Sequence, residues 1–378
     1  MEEIPGYKLF YLLGEGATSQ VFSGIHQKFE IPCAIKLIKK SNSNVDLSSI
    51  KKEVDFLKNL SHPYISSFFD FFETDNYYVI VEELAGNGSL RNYIKSDIGM
   101  RIDSLKRYFF QICQAIQYLH NEKHLVHRDL KPDNILIDDN HNVKLIDFGF
   151  CHVKSDDLQM MTQVGSINYM PPEIVQNRPY DYKCDIWSLG VLLYAMAFGV
   201  LPFYDPNIHT LMKRIVTEEI TFPWQSSDLN DLISLMLNKV AVERPTINEV
   251  LQHKFFRGVT STNLNFDSCE DNLKLEIKIL DCFFQIGVVE DEVPKYRNTP
   301  VYRMVKSQAL QSLYRTELIK TKKEIHPTLS LTNIEGKRTH LKPNSNPTFR
   351  QKARLIKPYG SNMMLPRTYL NVLAWKKK

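Results

Sequence analysis

Residues 186–204 form nineteen consecutive positions without a charged side chain. A stretch that long is either a membrane span or a helix at the centre of a large core. Gly199 and Pro202 interrupt its end, Asp185 and Asp205 close its two sides, and no second such segment exists in the chain. It therefore reads as a buried central helix, and no transmembrane segment is expected. With 378 residues the chain has enough material to bury it.

Overall hydrophobic content of 43% and charge of 24% are those of an ordinary globular protein. The net charge of +4 conceals two unlike parts. Residues 1–256 hold 25 Lys/Arg against 32 Asp/Glu, whereas residues 257–378 hold 22 against 11. A mildly acidic body thus carries a basic tail. The six cysteines form no CxxC pair, which suits a reduced setting. The start, Met-Glu-Glu-Ile-Pro-Gly, lacks the basic and apolar pattern of a secretory signal. An intracellular location, cytoplasmic or nuclear, is expected.

Short β-rich pieces broken by glycines and turn residues occupy positions 7–37. Ile50, Val54, Leu57 and Leu60 then recur at helical spacing over 46–60, and runs at 66–73 and 77–82 are strand-like. After Gly86-Asn87-Gly88 the chain becomes mainly helical, beginning with an amphipathic stretch over 104–121. Residues 135–146 read as a hairpin that presents Asp147 at its end. Residues 257–292 are an acidic linker with one helical candidate, 273–286. From 293 to 378 there are 19 Lys/Arg, 3 Asp/Glu and seven prolines, a composition that predicts mostly extended or disordered chain.

The densest chemistry lies in His127-Arg128-Asp129-Leu130-Lys131-Pro132-Asp133-Asn134, with Asp147-Phe148-Gly149 thirteen residues after Asn134. Asp129 is suited to accept a hydroxyl proton, and Asn134 and Asp147 supply hard oxygen ligands for Mg²⁺. Lys131 adds positive charge where phosphate charge develops. Upstream, Leu13-Gly14-Glu15-Gly16-Ala17-Thr18-Ser19-Gln20-Val21 has glycines that let a backbone close over phosphates. Lys36 ends the apolar run Cys33-Ala34-Ile35 and needs a carboxylate if buried; Glu53 on the following helix is the candidate.

These segments resemble, in order, the glycine-rich loop, the Val-Ala-Ile-Lys strand, the catalytic loop and the magnesium loop of eukaryotic protein kinases. The resemblance runs over 7–256 and implies an α+β, two-lobed fold, with a small β-rich lobe over about 7–85 and a larger helical lobe over about 86–256. It implies ATP with Mg²⁺, for which Mn²⁺ substitutes. Leu13, Gly14, Gly16, Val21 and Ala34 would lie above the nucleotide and Leu136 below, with the backbone of Glu82 to Leu84 reading the adenine edge. Val81 would stand at the back of that pocket as a small gatekeeper. Ser19 replaces the family's usual third glycine, and Pro171-Pro172-Glu173 its Ala-Pro-Glu.

Other roles follow from the resemblance alone. Lys36 and Glu53 would form the ion pair that sets the lysine on the phosphates, while His127, Phe148 and Leu57 would stack as core. Arg128 would bind a phosphate carried by Thr162 in the activation segment, which an upstream kinase would add. Glu173 would pair with Arg244, and Asp185 would order the catalytic loop. Gly165-Ser166-Ile167-Asn168-Tyr169-Met170 would receive a protein substrate. Lys131 with Ser166 indicates the serine/threonine type, most like the calcium/calmodulin-dependent and AMP-activated groups. Ser89 stands where an acidic reader of substrate arginine is common, although Asp133 keeps a second such position.

Two further classes stay open beside an active protein kinase: a pseudokinase scaffold that binds without catalysis, and a small-molecule kinase. The presence of Lys36, Glu53, Asp129, Asn134 and Asp147 together argues against the first. In the tail, Val305, Ala309 and Leu313 recur at loose helical spacing among basic residues of 301–325. Such a helix suits calmodulin, an anionic membrane or an acidic groove, or an autoinhibitory contact in the substrate cleft. A solvated tail is the plain alternative. Nucleic acid is the least favoured partner, since Tyr359, Tyr369 and Trp375 among Lys/Arg form no known motif.

Overall fold

The computed structural model describes residues 3–16, 18–42, 46–148, 152–153, 167–224, 226–259 and 269–325. These lie in one compact unit, Met1–Thr328. The expected disorder of 326–378 falls outside them, as do Tyr359, Tyr369 and Trp375.

The first lobe is a five-stranded antiparallel sheet of β1 (Tyr7–Glu15), β2 (Ser19–His26), β3 (Pro32–Lys39), β4 (Phe68–Glu73) and β5 (Tyr77–Glu82), in the order β1-β2-β3-β5-β4. Helix α1 (Leu47–Lys58) follows β3 and starts at Asp46, whose carboxylate accepts the N–H groups of Ser48 and Ser49 at 3.0 and 3.1 Å. Those are donors that a helix start leaves without a partner. Because strand side chains alternate, the two faces divide cleanly. Ile38 and Ile80 join Val54 and Leu57 of α1 in the main core, while Cys33, Ile35, Leu37, Val79 and Val81 point to the other face.

The second lobe contains α2 (Ile102–Gln117), the short strands β6 (Leu125–Val126), β7 (Ile135–Ile137), β8 (Val143–Leu145) and β9 (His152–Val153), and helices α3 (Pro172–Val175), α4 (Lys183–Phe198), α5 (Ile208–Thr217), α6 (Ser227–Met236) and α7 (Ile247–Gln252). The charge-free run becomes most of α4, where every residue from Cys184 to Phe198 is buried. Gly199 ends it at φ 71°, and a Cβ there would come within 2.1 Å of the Lys95 carbonyl oxygen. Only glycine meets both demands. Among the described residues no helix is long and apolar enough to cross a membrane.

Beyond 257 the helical candidate over 273–286 is present as a helix, but the chain after 293 departs from the expected extended form. Cys269–Gln285 (α8) and Pro300–Ile325 (α9) are helices, joined by a 3-10 turn over Glu290–Tyr296. Leu275, Ile279 and Phe283 of α8, with Val301, Met304, Val305, Ala309 and Leu310 of α9, cover the outer face of the sheet. Residues 293–325 are therefore not extended chain. Composition averages over a window and hides a stripe at 301, 304, 305 and 309, which is one face of a helix. Nor does the described part of 301–325 occupy the substrate cleft: it runs along the outside of the first lobe and reaches the second at Asn140, to which Arg315 Nη1 donates at 3.2 Å. Arg303 fastens it, donating from Nε to the Phe69 carbonyl and lying 5.6 Å from the Phe68 ring centroid.

Candidate active site

Between the lobes, β3 places Lys36 opposite α1, and its Nζ meets Glu53 Oε1 at 3.1 Å. Burial alone would lower the lysine pKa, but the carboxylates of Glu53, Asp147 and Glu82 outweigh it and hold the ammonium charged. Gly14 pairs with Val21 and Glu15 with Gln20 across the β1–β2 turn, and Gly16 N–H donates to the Ser19 carbonyl at 2.8 Å. Ala17, at the turn tip, lies outside the described residues.

The β3–β5 register corrects one expectation. Ala34 stands opposite Glu82, Ile35 opposite Val81, and Lys36 opposite Ile80. Partners across a ladder share a face, so Val81 points with Ile35 into the cluster beneath α8 and α9, away from Lys36. Val81 is not at the back of the cleft. Glu82 shares the cleft face with Ala34 and Lys36. Its carboxyl is raised to about 7, first by burial and further by Glu53, Asp147 and Glu83, against the lowering effect of Lys36. The next residue, Glu83, turns behind the strand, and its own N–H is committed to the Ser67 carbonyl at 2.9 Å.

In the second lobe, the loop after β6 is held from beneath by Asp185. Its carboxylate accepts the backbone N–H groups of His127 at 2.8 Å and Arg128 at 2.9 Å, and contacts His120 Nε2 at 2.8 Å. Burial alone would raise the pKa of Asp185, yet His120 and the His127 side chain and N–H hold its carboxyl below the usual range. Arg128 and Asp147 both take the left-handed conformation, at φ 70° and 65°. For non-glycine residues this costs energy and persists only where the surroundings enforce it.

The loop gathers its polar groups tightly. Asp129, 3% exposed, receives Lys131 Nζ at 2.5 Å and Asn134 Nδ2 at 2.8 Å, both on Oδ2. Asn134 Nδ2 also donates to the Asp129 carbonyl at 2.9 Å. Using the amide nitrogen this way turns the carboxamide oxygen in the opposite direction. Ile146 N–H donates to the Asn134 carbonyl at 3.0 Å, tying Asp147 to the same loop. His127 and Phe148 stack with ring centroids 5.3 Å apart. Among the described residues no three His, Cys, Asp or Glu side chains form a metal cage. The donors Asn134 and Asp147 suit a magnesium ion that keeps waters and arrives with a triphosphate.

Away from the chemistry, Arg244 makes a fork with Glu173, both bonds 2.7 Å. Arg128 lies over the Tyr180 ring at 4.9 Å, and its Nε is buried without a hydrogen-bond partner among the described residues. Thr162, Gly165 and Ser166 lie outside the described residues. Leu13 is exposed, and Leu136, on β7, forms a bridge to Ser89. Sequence reasoning missed Arg91, whose Nε and Nη2 grip Asp133 Oδ1 and Oδ2 at 2.5 Å each. It also missed the Glu82 side chain, whose facing depends on the register of β5 against β3.

Comparison with known proteins agrees with this geometry. The family described as Protein kinase domain matches residues 7–256. The chain belongs to the protein kinase family. Three relatives it matches are all named as kinases, one of them as a serine/threonine-protein kinase. A SNF1-related protein kinase catalytic subunit alpha KIN12 from Arabidopsis thaliana is 33% identical over 297 residues, 77% of this chain and 60% of that protein. A carbon catabolite-derepressing protein kinase from Secale cereale is 36% identical, over 68% of this chain and 52% of that protein. Serine/threonine-protein kinase SIK2 from Gallus gallus is 36% identical, over 67% and 32%. This kinase-family chain thus spans between a third and three fifths of the length of these relatives.

Proposed function

We propose that this chain transfers the γ-phosphoryl group of Mg-ATP to serine or threonine hydroxyls of proteins. The observation that carries the reading is the cluster in which Asp129 binds both Lys131 and Asn134 while Asp185 fixes the loop backbone. Asp129 accepts the hydroxyl proton as the oxygen attacks, and Lys131 neutralises charge that builds on the transferred group. Lys36, set by Glu53, holds the nucleotide phosphates, and Ala34, Val21 and Leu136 enclose the base. Asn134 and Asp147 would hold magnesium, whose charge would offset that of the phosphates.

Arg128 gives this reading a switch. Its buried Nε and its place beside Asp129 suit a phosphate on Thr162, added by an upstream kinase. The contact through 301–325 we read as intramolecular rather than with calmodulin, because its apolar stripe already covers the sheet. An intracellular setting accords with Cys33, Cys113, Cys184 and Cys282, all buried and free.

The test is phosphate transfer from labelled ATP with Mg²⁺ to a serine/threonine peptide library, with Asp129→Ala and Asp147→Ala as controls. Transfer by the wild type, lost in both variants, is the expected result. Nucleotide binding without any transfer would overturn the reading in favour of a scaffold.

A further inference from the structure

The Arg91–Asp133 pair stands at the mouth of this cleft and has no part in the chemistry above. Arg91 belongs to a 3-10 turn, Leu90–Tyr93, anchored by the wholly buried Leu90 and by Tyr93, whose hydroxyl donates to the Asn87 carbonyl at 3.3 Å. Asp133 belongs to the turn Pro132–Asn134, and its neighbour Asn134 holds Asp129. Two parallel bonds of 2.5 Å make a fork, the arrangement a planar guanidinium forms best with a carboxylate. Yet the two side chains are 59% and 44% exposed, so burial does not demand their pairing. Both charges also act on Tyr169, at the near end of the segment expected to receive substrate.

The location gives the pair a meaning. Asp133 is four residues from Asp129, so at most about 15 Å of backbone separates them. An extended peptide advances ~3.3 Å per residue. A peptide whose hydroxyl reaches Asp129 therefore brings side chains within four residues of the acceptor to Arg91 and Asp133. A substrate arginine arriving there meets a carboxylate already forked to the enzyme's own arginine. A guanidinium carries five N–H donors; two serve Asp133, and the rest are left for an incoming acidic group.

We propose that Arg91 is a specificity-determining residue that fills the place of a basic substrate side chain on Asp133, so that this chain selects serine/threonine segments with an acidic rather than a basic flank. This rests on the protein kinase reading above. Arg91→Ala vacates the carboxylate and converts the preference; Arg91→Lys keeps the charge but loses the fork.

The experiment is a positional-scanning peptide library around a fixed serine, with Arg, Ala or Glu at each of the four positions on either side, read as kcat/KM. The wild type is expected to show no gain from Arg over Ala, and a gain from Glu, at one position. In Arg91→Ala the Arg/Ala ratio at that position rises about fivefold, the scale of a solvent-exposed ion pair. Asp133→Asn added to Arg91→Ala abolishes the rise. Arg91→Lys gives an intermediate profile, and thermal unfolding of each variant checks that the fold is kept. If the wild type already requires arginine there, or if Arg91→Ala leaves the profile unchanged while transfer proceeds, the inference is overturned and the kinase reading survives. If no wild-type peptide is phosphorylated, both fall.

Discussion

Glu83 and Lys144 meet at 2.6 Å with 7% and 2% of their side chains exposed, directly behind the strand that ends at Glu82. Ser67 N–H donates to the same carboxylate at 3.1 Å, Ser307 Oγ donates at 3.4 Å, and Gln311 Nε2 donates to the other oxygen. The pair thus joins the connection between the lobes, strand β8 and helix α9 at one point. Removing one partner leaves a buried charge alone, which costs about 3–5 kcal/mol, whereas replacing both by apolar residues is often near neutral. Glu83→Met or Lys144→Met is expected to lower the melting temperature clearly, and the double variant to recover most of it. A double variant as unstable as the sum of the two singles would refute this account.

Helix α9 should contribute to stability through its apolar stripe. Met304 is 0% exposed within the cluster that α9 shares with the outer face of the sheet. Truncating a buried methionine to alanine costs ~2–5 kcal/mol, so Met304→Ala is expected to lower the unfolding temperature of the whole chain. With that stripe covered, calcium-loaded calmodulin should not bind the intact protein in calorimetric titration. Tight binding by the wild type would show that α9 leaves the sheet readily.

Glu82 predicts a pH dependence of stability. Its carboxyl is raised to about 7 in the fold from an ordinary 4.5, so the folded state binds more protons than the unfolded one between those values. Stability from this group is present at the acid end of that window and is lost as pH rises toward and past 7. Glu82→Gln, which needs no proton to be neutral, should gain thermal stability relative to wild type as pH goes from 5 to 8. A difference in melting temperature that stays flat over that range would place the carboxyl outside the cleft.

Asp185 is expected to govern rate rather than nucleotide binding. Asp185→Asn keeps the shape but offers one acceptor oxygen where two now serve His127 and Arg128. Loss of loop positioning should reduce kcat by about 10²-fold, on the scale of a small displacement of reacting groups. Nucleotide affinity, measured by fluorescence titration, should change little, since Lys36 and Glu53 are set by the other lobe. An equal loss in both would argue for general unfolding.

The local signals were strong wherever one element alone carries them. The charge-free run had to become a buried helix, and the β-branched and aromatic run at 77–82 had to become a strand. The residues of the 127–134 loop are drawn together within one short turn, so their types alone suffice to suggest the phosphoryl-transfer reading proposed above. Asp46 marked the start of α1, and a hairpin signal over 135–146 became the β7–β8 pair, with Ile135 opposite Leu145 and Ile137 opposite Val143.

What tertiary structure decided were relations between distant elements. Which of Val81 and Glu82 faces the cleft depends on the register of β5 against β3, since a shift of one residue exchanges the faces. Whether 301–325 is a solvated tail or a wall of the first lobe depends on the apolar sheet face that awaits it, formed by residues more than two hundred positions earlier. Arg91 and Asp133 are 42 residues apart, and neither signals the other in the chain. The sequence by itself determined which polar groups the 127–134 loop brings together, because adjacent residues supply them. Its setting, and the charges that surround it, arose only when the two lobes and the returning helices closed on one another.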